Sequence, residues 1–509
     1  MIDTTDGFVP LLARRAASAP DRVFARIEGK PLTFGRLWAR SEAVAHWLRR
    51  EGVLTGDRVA LMIPNSADAI ALLFGIAKAG AVWVPINVQQ KGDGLSYLLE
   101  QTCPSLMVGD AETSTTLSAA YSSAPVWTLG AAIGARRVED ALHDETCFDE
   151  RLPPVDEPYA IMYTSGTTGR PKGVLVSHRM LRLSGEGVRQ VSAAAAGDVM
   201  FMWEPLFHIG GSQMLVLPLV EDVTLALVPR FSASRFWQEV KDAGASHIHY
   251  LGGILQLLLK QPDSPLDRTH GARIAWGGGC PREIWRAFEE RFGVVIRECY
   301  GMTEASSITT CNDRKVLGSV GRPMPWFDVE LLGQDGRAVA RGERGEIVVR
   351  TNLPGALTRG YYRNPEATAK ALRDGALYTG DIGSLDAEGN MIFHGRMTDN
   401  VRVKGENVSA YEIESVAAKH PAVEDCAMIG VRSDVGEQDI KLFATLRPGA
   451  ALSPAELSAW LADRLASYQN PRYIEITGAF ERTPSQRIMK HRLSSDTSTC
   501  WQRPQHRQT

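Results

Sequence analysis

The chain has little that would tie it to a nucleic acid, a membrane or an oxidising compartment. Lys and Arg total 56 against 59 Asp and Glu, a net charge of −3, and no long basic block breaks the balance. A phosphate backbone calls for a concentrated basic surface, so no nucleic-acid partner is expected. The most apolar stretch, residues 69–86, is interrupted by Lys78 and by two glycines. A membrane span needs about 20 predominantly apolar residues, so this stretch reads as helix, turn and strand. The seven cysteines, at 103, 147, 280, 299, 311, 426 and 500, are scattered, odd in number and never in a C-x-x-C pair. That pattern suits free thiols and argues against both a disulfide framework and a zinc site. Residues 1–6 lack the basic region of a secretory signal. No internal repeat or low-complexity tract occurs. These absences predict a cytoplasmic protein with no membrane span.

What is present is length and an α/β texture. A chain of 509 residues can bury sizeable cores in several domains. In the first 150 residues Leu37, Val44, Trp47 and Leu48 fall on one helical face, with Gly52 shortly after as a stop. Residues 58–63 read as a strand, Ser66 as the cap of the next helix, and 81–86 as the next strand. Strands alternating with helices imply a mostly parallel sheet. Toward residue 320 the texture changes to short strands between Gly-rich turns, at 329–332, 346–350 and 391–394, which predicts a small β subdomain. After Arg396 a small α+β layer is expected. It has a helix from about Tyr411, strands around 427–429 and 441–444, a helix opened by the capping box Ser453-Pro454-Ala455-Glu456, and a strand at 473–476. The predicted division is a large α/β N-terminal domain, 1–395, and a small α+β C-terminal domain, 396–509. The tail after Arg492 reads as polar and frayed.

The most specific stretch is Tyr163-Thr164-Ser165-Gly166-Thr167-Thr168-Gly169-Arg170-Pro171-Lys172-Gly173-Val174. Apolar strands lead in and out of a loop of hydroxyls, glycines and one lysine. Glycine lets backbone N–H groups approach an anion, and Thr164, Ser165, Thr167, Thr168 and Lys172 add donors. The spacing does not fit G-x-x-x-x-G-K-[ST], which disfavours an ordinary P-loop NTPase. Three further segments stand out: Pro205-Leu206-Phe207-His208-Ile209-Gly210-Gly211, Gly277-Gly278-Gly279-Cys280-Pro281 and Tyr300-Gly301-Met302-Thr303-Glu304-Ala305. An aromatic face suits a purine, and a carboxylate on a loop suits a hard cation that also ligates phosphates. Tyr378-Thr379-Gly380-Asp381-Ile382-Gly383 places an acid in a Gly-rich turn, an arrangement familiar from ribose sites. Gly395-Arg396 opens a segment that runs on to Lys404-Gly405-Glu406.

In this order, over residues 30 to 493, these motifs resemble the adenylate-forming superfamily. It comprises acyl- and aryl-CoA ligases, the adenylation domains of peptide synthetases, and beetle luciferase. The chain most resembles the stand-alone acyl-CoA ligases, including those for carnitine-like acids. The resemblance implies that a carboxylate is activated with ATP as an acyl-adenylate and passed to a thiol, with Mg2+ and coenzyme A as cofactors. It places ATP or AMP on Thr164, Ser165, Gly166, Thr167, Thr168, Gly169 and Lys172. Gly278 and Gly279 would lie against the adenine and Tyr300 would stack on it, with Gly301 and Met302 in the same turn. It gives Thr303 the α-phosphate and Glu304 the Mg2+. Asp381 and Arg396 would take the ribose, and Lys404 and Gly405 the pantetheine tunnel. The segment with His208 gates the acid pocket. Amino-acid-activating relatives tend to carry an aspartate at that point, for the substrate's α-ammonium. A buried carboxylate with no cation to pair is costly, so His208 there implies a carboxylic acid without an α-amine. The resemblance implies rotation of the C-terminal domain at a hinge two residues past Arg396, where Thr398 stands in place of the usual Asp or Lys. It leaves the oligomeric state open, a homodimer included.

One departure bears on the chemistry. The family pattern Pro-x-Thr-x-x-Gly-Lys corresponds here to Arg482-Thr483-Pro484-Ser485-Gln486-Arg487-Ile488-Met489-Lys490. Gln486 stands at the glycine and Arg487 at the adenylation lysine. Arginine keeps the charge but not the compact shape. Two outcomes follow. Lys490 or Arg487 itself serves, or adenylation is weak and the protein mainly makes thioesters from an acyl-adenylate supplied by a separate adenylating ligase. Split arrangements of that kind occur in the family, in diterpenoid antibiotic pathways of the platensimycin type. Loading of an acyl-carrier protein and a non-catalytic adenylate-binding role remain as alternatives.

Overall fold

The computed structural model describes residues 6–130, 136–140, 148, 150, 152–164, 171–397, 400–403, 406–433, 438–483 and 487–504. The chain divides into two units. One holds the described residues up to 164 together with 171–328 and 349–377, and the other holds 329–348 and 378 onward.

The first unit is built on two sheets. A seven-stranded sheet runs Arg136–Arg137, Val126–Thr128, Leu106–Gly109, Arg58–Met62, Val82–Pro85, Pro158–Thr164, Lys172–Ser177. Its neighbours are parallel except the last two, which pair antiparallel. A nine-stranded sheet orders Val295–Tyr300, Ile274–Gly278, His247–Leu251, Val199–Met202, Thr224–Leu227 and Val23–Ile27 side by side and parallel, with antiparallel strands added at both ends. The expected mostly parallel α/β architecture is what these residues form. Helix Phe34–Arg50 buries Leu37, Val44, Trp47 and Leu48, and Ser66 caps helix Ala67–Lys78 by accepting from the Ala69 amide. Helix His178–Ser192 packs on strands of both sheets. Its charged residues Arg182 and Glu186 are buried as a pair 2.7 Å apart, so neither charge stands uncompensated in the interior.

Strands Phe327–Leu332, Gly345–Thr351, Ala376–Leu385 and Met391–Arg396 belong to a five-stranded sheet, the β texture expected from about residue 320. After it, Asn400–Val403 and Glu406–Ser409 form a hairpin. A four-stranded sheet of Val423–Arg432, Gln438–Leu446, Tyr473–Ile476 and Trp501–Gln502 then packs with helices Ala410–Ala417 and Pro454–Ala462 around Ile413, Met428, Leu442, Leu457 and Ile474. Ser453 and Glu456 form the expected capping box.

The tail differs from expectation. Residues 501–502 add a strand antiparallel to Tyr473–Ile476, with Trp501 opposite Ile474 and packed on the core. The Lys441 ammonium, wholly buried, ion-pairs with Glu475 at 2.8 Å and donates to the carbonyls of Ser494 and Asp496. A polar composition hides this anchor because the tail is held by one indole and by main-chain carbonyls rather than by an apolar run. Among the described residues no helix is long and apolar enough to cross a membrane.

Candidate active site

The hairpin Pro158–Thr164 and Lys172–Ser177 brings Thr164 opposite Lys172 at the mouth of the glycine-rich loop. Ser165, Gly166, Thr167, Thr168 and Gly169 lie outside the described residues. Behind Lys172 the strand is joined by residues 358–362. Val174 bridges to Tyr361, the Leu175 amide donates to the Gly360 carbonyl, and the Tyr362 amide donates to the Gly173 carbonyl. This pairing sets the Tyr361 ring 5.1 Å from the Lys172 ammonium. The Tyr361 hydroxyl donates to Glu304 Oε1 at 2.9 Å, and the Thr358 amide donates to the Glu304 carbonyl at 2.8 Å. Tyr361 therefore touches both Lys172 and Glu304, although it follows them by 189 and 57 positions.

Glu304 sits in a 3-10 turn, Thr303–Ala305, after strand Val295–Tyr300. The chain doubles back so tightly there that a Cβ on Gly301 would fall 1.7 Å from the Ser307 carbonyl oxygen. Ser306 and Ser307 take left-handed φ of 51° and 67° to complete the reversal. Tyr300 is largely buried, Met302 and Thr303 half-buried, and Gly301 exposed. Among the described residues no three His, Cys, Asp or Glu side chains form a metal cluster. One buried carboxylate, Glu304, fits Mg2+, which is usually held by one or two carboxylates plus substrate phosphates and keeps several waters.

The triple-glycine turn ends strand Ile274–Gly278. A Cβ on Gly277 would lie 1.9 Å from the Tyr250 carbonyl oxygen, so only glycine lets the two strands approach this closely. The turn is pinned from behind by Glu298, whose carboxylate accepts from the amides of Gly279 and Cys280 and from the Tyr250 hydroxyl. Burial pushes the Glu298 carboxyl up to about 8, against the opposing pull of those three donors. A carboxyl raised in the folded state stabilises the fold below its unfolded pKa, and that stability drains away as pH rises to the folded value. The buried His178 and His247, lowered to about 4 by burial, act only below their ordinary pKa. Between pH 6.5 and about 8 Glu298 therefore stands apart from them. There stability is expected to fall by up to about 1.4 kcal/mol per pH unit, and Glu298→Gln to flatten the fall. Denaturant melts at pH 6.5, 7.25 and 8 check this, and equal slopes in the two proteins would refute it.

His208 is the N-cap residue of helix Ile209–Met214, with its carbonyl accepting from the amides of Gly211 and Ser212. Its ring lies 4.7 Å from that of Phe207.

The second unit holds the remaining expected residues. Asp381 and Arg396 are cross-strand partners in the antiparallel pair Ala376–Leu385 and Met391–Arg396, with Arg396 Nε 3.5 Å from Asp381 Oδ1. Asp381 is buried; its amide donates to the Thr379 hydroxyl, and the Gly380 amide donates to Glu346. Thr398, Lys404 and Gly405 lie outside the described residues. Arg487 is exposed. Its amide donates to the Thr483 hydroxyl, its carbonyl accepts from the Thr483 amide, and Arg482 bridges to Ile488. Lys490 forms an ion pair with Glu414 at 2.8 Å.

Sequence patterns do not single out Tyr361, Glu298 or Tyr250. A carboxylate inside the strand Val-Ile-Arg-Glu-Cys-Tyr is the signal for Glu298, because a buried strand rarely carries one without a task. Gly360-Tyr361-Tyr362 gives no comparable sign.

A family model described as AMP-binding enzyme matches residues 12–362, and one described as AMP-binding enzyme C-terminal domain matches 412–487. The chain belongs to the AMP-binding enzyme family. It is 31% identical over 504 residues to the sulfoacetate–CoA ligase of Cupriavidus necator, covering 96% of this chain and 97% of that one. It is 31% identical over 493 residues to the crotonobetaine/carnitine–CoA ligase of Salmonella paratyphi A, covering 92% and 95%. Among solved structures, the anthranilate CoA ligase AuaEII in complex with anthranoyl-AMP superposes with a TM-score of 0.88 at 25% identity, covering 96% and 97%. ATP-bound MatB from Rhodopseudomonas palustris superposes with 0.86 at 27% identity, covering 95% and 97%.

Proposed function

We infer that the protein is an acid–thiol ligase that makes an acyl-CoA through an acyl-adenylate. The observation that carries this reading is Tyr361 touching both Lys172, the first residue of the strand after the glycine-rich stretch, and Glu304, in a chain whose relatives are CoA ligases over nearly their whole length. In the first step a carboxylate oxygen of the acid attacks the α-phosphorus of ATP and pyrophosphate leaves. In the second the CoA thiolate attacks the acyl carbon and AMP leaves.

Lys172 and the loop donors hold the phosphates, with Thr164 and Thr303 at the reacting end. Tyr361 orients the Glu304 carboxylate through its hydroxyl. Mg2+ held at Glu304 would neutralise charge on the phosphates. Tyr300, Gly278 and Gly279 receive the adenine, with the glycine turn fixed by Glu298. Asp381 and Arg396 take the ribose hydroxyls. His208 borders an acid without an α-amine. The functional boundary lies at 395/396, with Lys404 and Gly405 on the thiol's path, and the enzyme works in the cytoplasm.

Adenylation is the weaker half-reaction here. Arg487 occupies the place of the bridging lysine, and the ion pair with Glu414 engages the nearby Lys490 elsewhere. The protein then works chiefly on acyl-adenylate received from a separate ligase. A paired assay over a panel of acids tests both levels. ATP–pyrophosphate exchange reads the first step, and synthetic acyl-adenylate plus CoA reads the second. Thioester formation with weak exchange is the expected pattern. AMP binding without thioester from any adenylate would overturn the ligase reading, and thioester formed only on a carrier protein would replace CoA as the acceptor.

A further inference from the structure

The segment that borders the acid, 205–211, and the glycine turn beside it, 277–279, are linked by a buried pair that the nucleotide chemistry does not use. Glu204 immediately precedes the first segment and His249 lies on strand His247–Leu251. His249 Nδ1 is 3.1 Å from Glu204 Oε2, and each side chain is only 6% exposed. The His249 ring lies 4.3 Å from that of Trp276 and is stacked with Trp203 at 6.1 Å. The Trp203 indole N–H donates to the His249 carbonyl.

The placement is built from both sides. Asn65 donates to the Glu204 carbonyl and accepts from the Leu206 amide, clamping the chain around Glu204. A Cβ on Gly210 would sit 2.3 Å from a Glu204 carboxylate oxygen, so glycine leaves that carboxylate room beside the first turn of the helix His208 caps. On the other side His249 is in register with Trp276, the residue before the glycine turn.

We propose that Glu204 and His249 form the polar end of the acid pocket and select acids bearing a hydrogen-bond donor or a cationic group remote from the carboxyl, over hydrocarbon acids of the same shape. A buried ion pair is seldom more stabilising than apolar residues of equal volume, so a pocket for a plain hydrocarbon would gain nothing from this one. A carboxylate accepts several hydrogen bonds at once, so one that holds an imidazole still suits a ligand's N–H or O–H. The inference rests on the ligase reading and names the substrate class for it.

The test uses N-acylsulfamoyl adenosines, stable mimics of acyl-adenylates, in shape-matched pairs: 4-hydroxybutanoyl and 4-aminobutanoyl against pentanoyl, and 4-hydroxybenzoyl against 4-methylbenzoyl. Calorimetry on the full chain gives Kd for each mimic and for AMP, with wild type, Glu204→Gln and His249→Phe. In at least one pair the wild type binds the polar member more tightly by about 10- to 100-fold, the range expected for one added hydrogen bond to a charged acceptor. Both variants lose most of that ratio and keep AMP affinity. A preference for the hydrocarbon member in every pair, or a ratio that survives both substitutions, overturns the proposal and leaves the ligase reading standing. Failure of the wild type to bind AMP and every mimic refutes the ligase reading instead. Should a variant no longer bind AMP, the wild-type ratios decide alone.

Discussion

Arg487→Lys raises the rate of ATP–pyrophosphate exchange by roughly 10²–10³ and leaves thioester formation from supplied acyl-adenylate unchanged. The size of the gain follows from what one preorganised donor is worth at a site of developing charge. A lysine ammonium is a compact point charge on a flexible stem, whereas guanidinium is a planar fork. Both carry one positive charge, so a shift in rate reads shape and reach rather than net charge. The main chain of Arg487 makes both hydrogen bonds to Thr483, and these survive the exchange. Exchange measured with labelled pyrophosphate, beside a thioester assay on the same preparation, separates the half-reactions. Wild-type exchange already as fast as thioester formation, or no gain in the variant, would remove Arg487 as the weak point.

Asp381→Ala weakens AMP binding by on the order of 10²–10⁴, the loss of two hydrogen bonds from ribose hydroxyls to a charged acceptor. Folding stability changes far less. The asymmetry follows from the surroundings. Asp381 is buried, so deleting its charge removes a desolvation cost. Its partner Arg396 is 41% exposed at the side chain, so water can solvate it once the carboxylate is gone. Calorimetric Kd for AMP and a thermal melt with and without nucleotide give both quantities. A large loss of stability with unchanged Kd would assign Asp381 to the fold rather than to the ligand.

Elements set by local rules were legible in the sequence. Periodicity placed Leu37, Val44, Trp47 and Leu48 on the buried face of one helix, and Ser66 and Ser453 marked two helix starts because a cap depends only on the next three residues. The glycine turn at 277–279 was legible for the same reason. The partners were not. Tyr361 reaches Glu304 only because residues 358–362 pair with the strand after the loop, a register that composition does not encode. Glu298 and Tyr250 are joined across parallel strands, and Glu204 meets His249 from just beyond the end of strand Val199–Met202, so both pairs are distant in sequence. The anchored tail escaped notice because Lys441 holds it through carbonyls of Ser494 and Asp496, groups every residue has.

The register that sets Asp381 opposite Arg396 has a temporal meaning. These two residues belong to adjoining strands of one antiparallel pair, and Arg396 is the last residue of its strand. A rotation that begins beyond it leaves their spacing unchanged. On the ribose role proposed above, the sugar of a bound nucleotide would be gripped by the same clasp before and after such a swing, and an activated acyl group would not have to be let go between the departure of pyrophosphate and the arrival of the thiol. For an enzyme that receives its adenylate from elsewhere, the same clasp is where the handover would end.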